Sequence, residues 1–188
     1  CSTYSPVSLV FMNQDRIIIG LGSKARIGKD YAAIKLAKYF NVQRISFADV
    51  LKDDLSILFK KHNLSLEALL ADPDMKEVVR PLLIAYGQTM RKFDENVWLN
   101  AAIKSAAFSN KVTIFTDVRF PNEAQAIQAL GGYYVNIVSD VAPSSKEEAL
   151  YSPILEEMAD FHIKNNFDDQ YIEDMKSLID SLLLEKTS

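Results

Sequence analysis

The sequence predicts an α/β fold: a five-stranded parallel sheet with helices packed on both faces. Three observations predict it. Five short β-type runs alternate with helical patterns along the chain. Two of those runs are almost continuously apolar, as strands covered on both faces are. The first run leads, through glycines, into a Gly-Lys pair that opens a helix. Alternation of this kind builds parallel sheets, because each crossover helix returns the chain to the same end of the sheet.

Residues 1–15 precede the first strand and read as an N-terminal arm or an appended, non-native segment, with Met12 a reasonable natural start. "RIIIGL" (16–21) is the first strand, and a helix follows at 29–40. "QRISF" (43–47) is the second. Residues 48–110 then carry helical patterns only, at 48–61, 75–90 and 95–108, an insertion ahead of the third strand. "VTIFTD" (112–117) and "YYVNIV" (133–138) are the two apolar strands, separated by a helix at 121–130. Residues 139–152, "SDVAPSSKEEALYS", are polar with Pro143-Ser144-Ser145, and read as a mobile loop or short lid. "DFHIKN" (160–165) is the fifth strand. The last helix, 168–184, repeats Ile172, Met175, Leu178, Ile179, Leu182 and Leu183 at helical spacing.

Composition narrows the function classes. The chain has 188 residues, 48% hydrophobic and 24% charged, the profile of one globular domain with a proper core. A net charge of −4 argues against a surface that coats nucleic acid. One cysteine, Cys1, permits no internal disulfide and suits a reducing compartment, so a cytoplasmic location is expected. No apolar run approaches the roughly 20 residues of a membrane span. The two histidines, His62 and His162, are isolated, and no Cys/His cluster or Gly-x-Ser-x-Gly motif is present.

"GLGSKARIGKDY" (20–31) carries the chemistry. A phosphate loop needs inward-pointing backbone N–H groups, a helix N-terminus and a lysine that reaches the outer phosphates. Strand, glycines, Gly28-Lys29 and helix occur here in that order, and Lys24 and Arg26 add charge. Against the pattern G-x-x-x-x-G-K-[ST], Ser23 stands where the first glycine falls, Gly22 lies one residue early, and Asp30 replaces the hydroxyl that normally holds magnesium. Asp30 is a hard oxygen donor that magnesium accepts. The bland alternative is a tight strand-to-helix turn with neighbouring lysines.

Asp117 ends an apolar strand, where carboxylates border the ligand crevice of an open α/β sheet. It is a metal-side acid or an N-cap of the next helix. Arg119 is either a phosphate ligand or the partner of Glu123 in a surface pair. Arg80 and Arg91 lie eleven residues apart, about three helical turns, and can share a face. Phe47 and Trp98 are candidates for an acceptor pocket or for the core.

These segments together resemble the bacteriophage-type deoxynucleoside monophosphate kinases, a branch of the adenylate-kinase-like P-loop fold. The family's loop looks like "GKARSGKDT", matched by "SKARIGKDY" with departures at Ser23, Ile27 and Tyr31. "ISFADVLKDDL" (45–55), "VVRPLLIAYGQTMRKFDENVWLNAA" (78–102), "TIFTDVRFPNEAQAIQALGG" (113–132) and "IKNN" (163–166) are similar to its other segments. Dephospho-coenzyme A kinases and phosphomevalonate kinases share the fold and part of the pattern.

The resemblance implies a three-layer P-loop fold, strand order 2-3-1-4-5, with a helical acceptor-binding insertion at 48–110 and a lid at 139–152. It implies ATP as co-substrate, Mg2+, and small nucleotides rather than nucleic acid or membrane as partners, with a homodimer open. Residues 22–31 (Gly22, Ser23, Lys24, Ala25, Arg26, Ile27, Gly28, Lys29, Asp30, Tyr31) and Asn165 would surround ATP. Asp30 and Asp117 would orient the metal. Lys29, Asp117 and Arg119 would be catalytic, and Phe47, Asp49, Arg80, Arg91 and Trp98 would bind the acceptor. The lid segment 139–152 has Lys146 but no arginine. With Ser23 and Tyr31, that keeps a second reading open: a degenerate P-loop protein that binds nucleotide or a partner without turnover.

Overall fold

The computed structural model describes residues 16–22, 24–106 and 111–187. Its centre is a parallel five-stranded sheet in the order β2-β3-β1-β4-β5, built from β1 (Ile17–Gly22), β2 (Val42–Ile45), β3 (Val112–Phe115), β4 (Tyr133–Val138) and β5 (Phe161–Lys164). The order is the expected 2-3-1-4-5. Central β1 pairs Ile17–Gly20 with Val112–Phe115 on one side and Ile19–Gly22 with Tyr133–Asn136 on the other.

The two faces bury separate cores, which is why β1, β3 and β4 are apolar on both sides. On one face, Ile17, Ile19, Val112, Ile114 and Val135 pack against α1 (Lys29–Leu36) and α8 (Gln170–Thr187) through Ala32, Leu36, Met175 and Ile179. On the other, Ile45, Phe115 and Tyr134 pack against α5 (Val97–Ser105), α6 (Pro121–Ala129) and α7 (Lys146–Met158) through Trp98, Ile127 and Leu155. The insertion adds α2 (Phe47–Lys60), α3 (Leu66–Ala71) and α4 (Pro73–Phe93), which share a small core of Leu55, Leu66 and Val79.

Four expectations are corrected. The lid segment is not a loop throughout: Lys146 begins a helix of 13 residues, capped by the Ser145 hydroxyl, which accepts from the Glu148 N–H at 3.1 Å. Its polar composition reflects solvent on one side, while Glu148, Ser152 and Leu155 are buried. The second strand ends at Ile45, and Phe47 already opens α2. Helix α3 was not expected; six residues are too few for helical periodicity to declare itself. The helix expected at 95–108 ends at Ser105, and 107–110 lie outside the described residues, as do Ser23 and the N-terminal arm.

Candidate active site

The carboxyl ends of β1, β2 and β3 lie together, because Gly20 and Ile45 both pair with Phe115. Open α/β sheets bind ligands at this edge. β1 stops against Tyr134, whose phenol a side-chain carbon at Gly22 would overlap. The following loop holds Arg26 at φ 60° and Gly28 at φ 79°. Left-handed residues turn successive N–H groups into one concavity, and Gly28 adopts that geometry without strain. Asn165, after β5, supports the loop from below: its Nδ2 donates to the Ile27 carbonyl at 2.9 Å. Helix α1 starts at Lys29, so its positive end faces the same concavity.

Lys29 is only 7% exposed, and its Nζ donates to the Lys24 carbonyl at 2.6 Å. Burial lowers its pKa to about 8; Arg119 pushes the same way, while Asp117, Glu148 and Asp30 oppose. The segment after β4 straps the loop. Lys24 Nζ donates to the Val141 carbonyl at 3.0 Å, and the Ala25 N–H donates to Glu148 Oε1 at 2.9 Å. Glu148 also accepts from the Ser144 N–H and hydroxyl, and these hydrogen bonds hold its carboxyl below the usual range despite burial.

Asp30 Oδ1 accepts from Arg44 at 2.7 Å and from the buried Thr116 hydroxyl at 2.9 Å. Asp117 accepts from the Ser46 hydroxyl, the Phe47 N–H and the Ala48 N–H at 2.9, 2.8 and 3.0 Å. It therefore caps α2, whose N-terminus it reaches across the sheet edge, rather than the helix that follows it in sequence. The exposed Arg119 guanidinium has no hydrogen bond or ion pair among the described residues, so the surface Arg119–Glu123 side-chain pair is not formed. Glu123 is instead buried at 1% exposure. Its Oε2 accepts from the Arg119 and Phe120 N–H groups at 2.8 and 3.1 Å, and its Oε1 from Arg91 at 2.9 Å. Burial pushes the Glu123 carboxyl up, against the pull of Arg91 and the Arg119 N–H.

A cleft of about 250 Å³ opens between these groups and the helical insertion. Phe47, Leu51, Leu83, Trp98 and Phe120 give it an apolar, aromatic lining; Gln88, Arg91, Asp117 and Arg119 supply polar edges. Phe47 stacks on Phe115 with ring centroids 5.5 Å apart. Trp98 is buried and donates from its indole to the Gly87 carbonyl at 3.2 Å, so it is both core and cleft wall.

The structure thus gathers Lys29, Asp30, Asp117 and Arg119 at the phosphate loop and Phe47, Arg91 and Trp98 at the cleft. It does not bring Arg80 or Asp49 into the cleft. Arg80 pairs with Glu77 on the exposed side of α4, and eleven residues of helix set it about 16 Å from Arg91. Asp49 pairs with Arg44 and Lys52 and faces a separate depression beside α3. Tyr31 is 47% exposed, with Lys35 over its ring, away from the loop. Arg44 and Glu148 are not singled out by the sequence, and Glu123 enters there only as a surface partner of Arg119. Ser145-Lys146-Glu147-Glu148 has the S-x-x-E spacing of a capping box and could have revealed α7 and its buried acid. Nothing in sequence marks Arg44 or the Arg91–Glu123 pair, which join distant segments.

Among the described residues no group of three or more His, Cys, Asp or Glu could hold a metal by itself. Asp30 nevertheless fits magnesium, whereas both Asp117 oxygens accept protein donors and would meet the metal only through its waters. Asp30 is exposed and its Oδ2 has no hydrogen bond among the described residues, and Mg2+ is usually held by one or two carboxylates together with substrate phosphates and waters.

A parallel sheet in the order 2-3-1-4-5, a lysine-bearing loop at a helix N-terminus, and an acid and an arginine just after the third strand define a P-loop small-molecule kinase. The phosphomevalonate kinase family profile matches residues 21–132, well over half of the chain, and the protein belongs to that family. Two solved shikimate kinases are also similar. The enzyme from Bacteroides thetaiotaomicron is 14% identical over 89% of this chain and 98% of its own, with a TM-score of 0.44. The Aquifex aeolicus vf5 enzyme is 16% identical over 91% and 98%, with a TM-score of 0.43. Comparison with curated proteins gave no match. Among the described residues, no helix is long and apolar enough to cross a membrane.

Proposed function

We propose that the protein transfers the γ-phosphoryl group of ATP to the phosphate of a deoxynucleoside monophosphate. The observation that carries this reading is the cleft beside the phosphate loop. Its aromatic and aliphatic lining suits a flat base, Gln88 offers an amide for base edges, and Arg91 and Arg119 stand at its polar end. An acceptor phosphate oxygen attacks the γ-phosphorus, the bond to the β–γ bridging oxygen breaks, and ADP leaves. No protein nucleophile is required, so the chain's work is positioning and charge. Lys29 and the loop N–H groups hold the ATP phosphates. Arg119, whose guanidinium has no hydrogen bond or ion pair among the described residues, meets charge developing on the transferred group. Asp30, and Asp117 through waters, would hold Mg2+, which neutralises the β- and γ-phosphate oxygens when bound.

A second reading, phosphomevalonate as acceptor, is favoured by the family match over residues 21–132. A coupled ADP-release assay with the four deoxynucleoside monophosphates and phosphomevalonate separates the two. Turnover only with phosphomevalonate overturns the proposal. ATP binding without turnover on any of them would support the degenerate reading, which the departure at Tyr31 and the arginine-free segment 139–152 motivate.

A further inference from the structure

We propose that Glu123 is a positioning residue shared by two arginines: its carboxylate orients Arg91 toward the acceptor and anchors the backbone that presents Arg119. The kinase reading above is needed only for what Arg91 contacts, not for the positioning. Two parts of the chain meet at this buried group, and a third packs behind it on Phe120. Arg91 comes from the last turn of α4, Arg119 and Phe120 from the segment entering α6, and the Phe120 ring packs on Tyr151 of α7 at 5.3 Å. Arg91 also stands over the Phe120 ring, with its guanidinium carbon 3.9 Å from the centroid. A guanidinium has five N–H donors in one plane. The ring contact restrains the guanidinium, and Glu123 takes one of its donors, through Nη2. Arg91 lines the cleft, so its remaining donors are available to an acceptor phosphate.

A helix cap alone would not need this arrangement. Capping uses only Oε2, through the Arg119 and Phe120 N–H groups; the bond from Oε1 to Arg91 is extra, and it spans 32 residues. Removing one partner of a buried ion pair leaves the other charge uncompensated, so both must be present for either to be well placed. One carboxylate therefore sets the distance between the acceptor-side arginine and the arginine that meets the transferred phosphoryl group.

Glu123→Gln separates the two roles. The amide oxygen still accepts from the two backbone N–H groups, but its NH2 would face the Arg91 donors. Losing a charge-assisted bond, the acceptor KM should rise about tenfold while kcat falls only about twofold to threefold. In a double-mutant cycle Arg91→Gln/Glu123→Gln should show the acceptor KM of Arg91→Gln alone. Should Glu123→Gln fail to fold, the double variant, which buries no unpaired charge, carries the same comparison. A turnover-free arm uses arginine side-chain NMR. Arg44, held by Asp30 and Asp49, should give one slowly rotating guanidinium in every variant; a second should be assigned to Arg91 by its loss in Arg91→Gln and rotate freely in Glu123→Gln. Additive KM effects, or a slow Arg91 guanidinium that persists in Glu123→Gln, would overturn the proposal. If the wild type turns over none of the acceptors, the kinase reading falls, and the NMR arm decides the positioning role by itself.

Discussion

Binding of ATP should be coupled to proton uptake by Lys29. The lysine is buried, the Arg119 charge adds to the effect, and Asp117, Glu148 and Asp30 only partly compensate, so its pKa stands near 8 instead of 10.5. A bound triphosphate reverses that balance and restores the charged form. With a free-protein value of 8, the neutral fraction is about one tenth at pH 7, one half at pH 8 and nine tenths at pH 9. ATP should therefore take up about half a proton at pH 8, and its affinity should fall up to about tenfold per pH unit above that. The same shift makes the unfolded chain bind more protons than the folded one between about pH 8 and 10.5. Stability without ligand should consequently rise through that window, which is the reverse of the trend in ATP affinity. Calorimetric titration without metal, in two buffers of different ionisation enthalpy, measures the uptake directly. At pH 8 and above the nucleotide's own phosphates, with a second pKa of about 6, contribute little. Lys29→Met should abolish the uptake. Less than about a tenth of a proton at pH 8, or an equal value in Lys29→Met, would refute the reasoning.

Arg119→Lys should lower kcat by roughly 10³-fold with a small change in ATP KM, because lysine lacks the planar two-point contact; steady-state kinetics on both substrates decides this. Arg80→Ala, on the exposed face of α4, should leave the acceptor KM unchanged within twofold, and a tenfold rise would place Arg80 back at the acceptor. Trp98→Ala should destabilise by about 3–5 kcal/mol in urea melts, since it removes a buried side chain that both core and cleft share. The Glu148 carboxyl is held below its usual value, so the stability it contributes is present above the unfolded value near 4.5 and is lost as pH falls through the folded one. Glu148→Gln should flatten that acid limb of the melting profile and weaken ATP binding by loosening Ala25; an unchanged limb would show that the strap carries no stability.

Sequence alone determined the sheet. "IIIGL", "VTIF" and "YYVNIV" are apolar on every residue or nearly so, and only strands covered on both faces tolerate that. It also determined the phosphate loop, because every requirement of that site is local: glycine where φ is positive at Gly28, a helix opening at Lys29, a lysine beside it. Helices α3 and α7 are hard to read for different reasons, although the capping spacing at Ser145 marks the start of α7. The first is too short for a period to register, and the second buries two polar residues, Glu148 and Ser152, that composition assigns to solvent. The partners of the charged residues were decided by tertiary structure alone. Arg44 reaches Asp30, Asp117 reaches the N-terminus of α2, and Glu123 reaches Arg91 across 14, 69 to 71 and 32 residues respectively. A side chain's local spacing fixes which face of its element it leaves from. Which opposite charge it meets there depends on how the elements pack, and that packing is set by apolar burial in which none of these charges takes part.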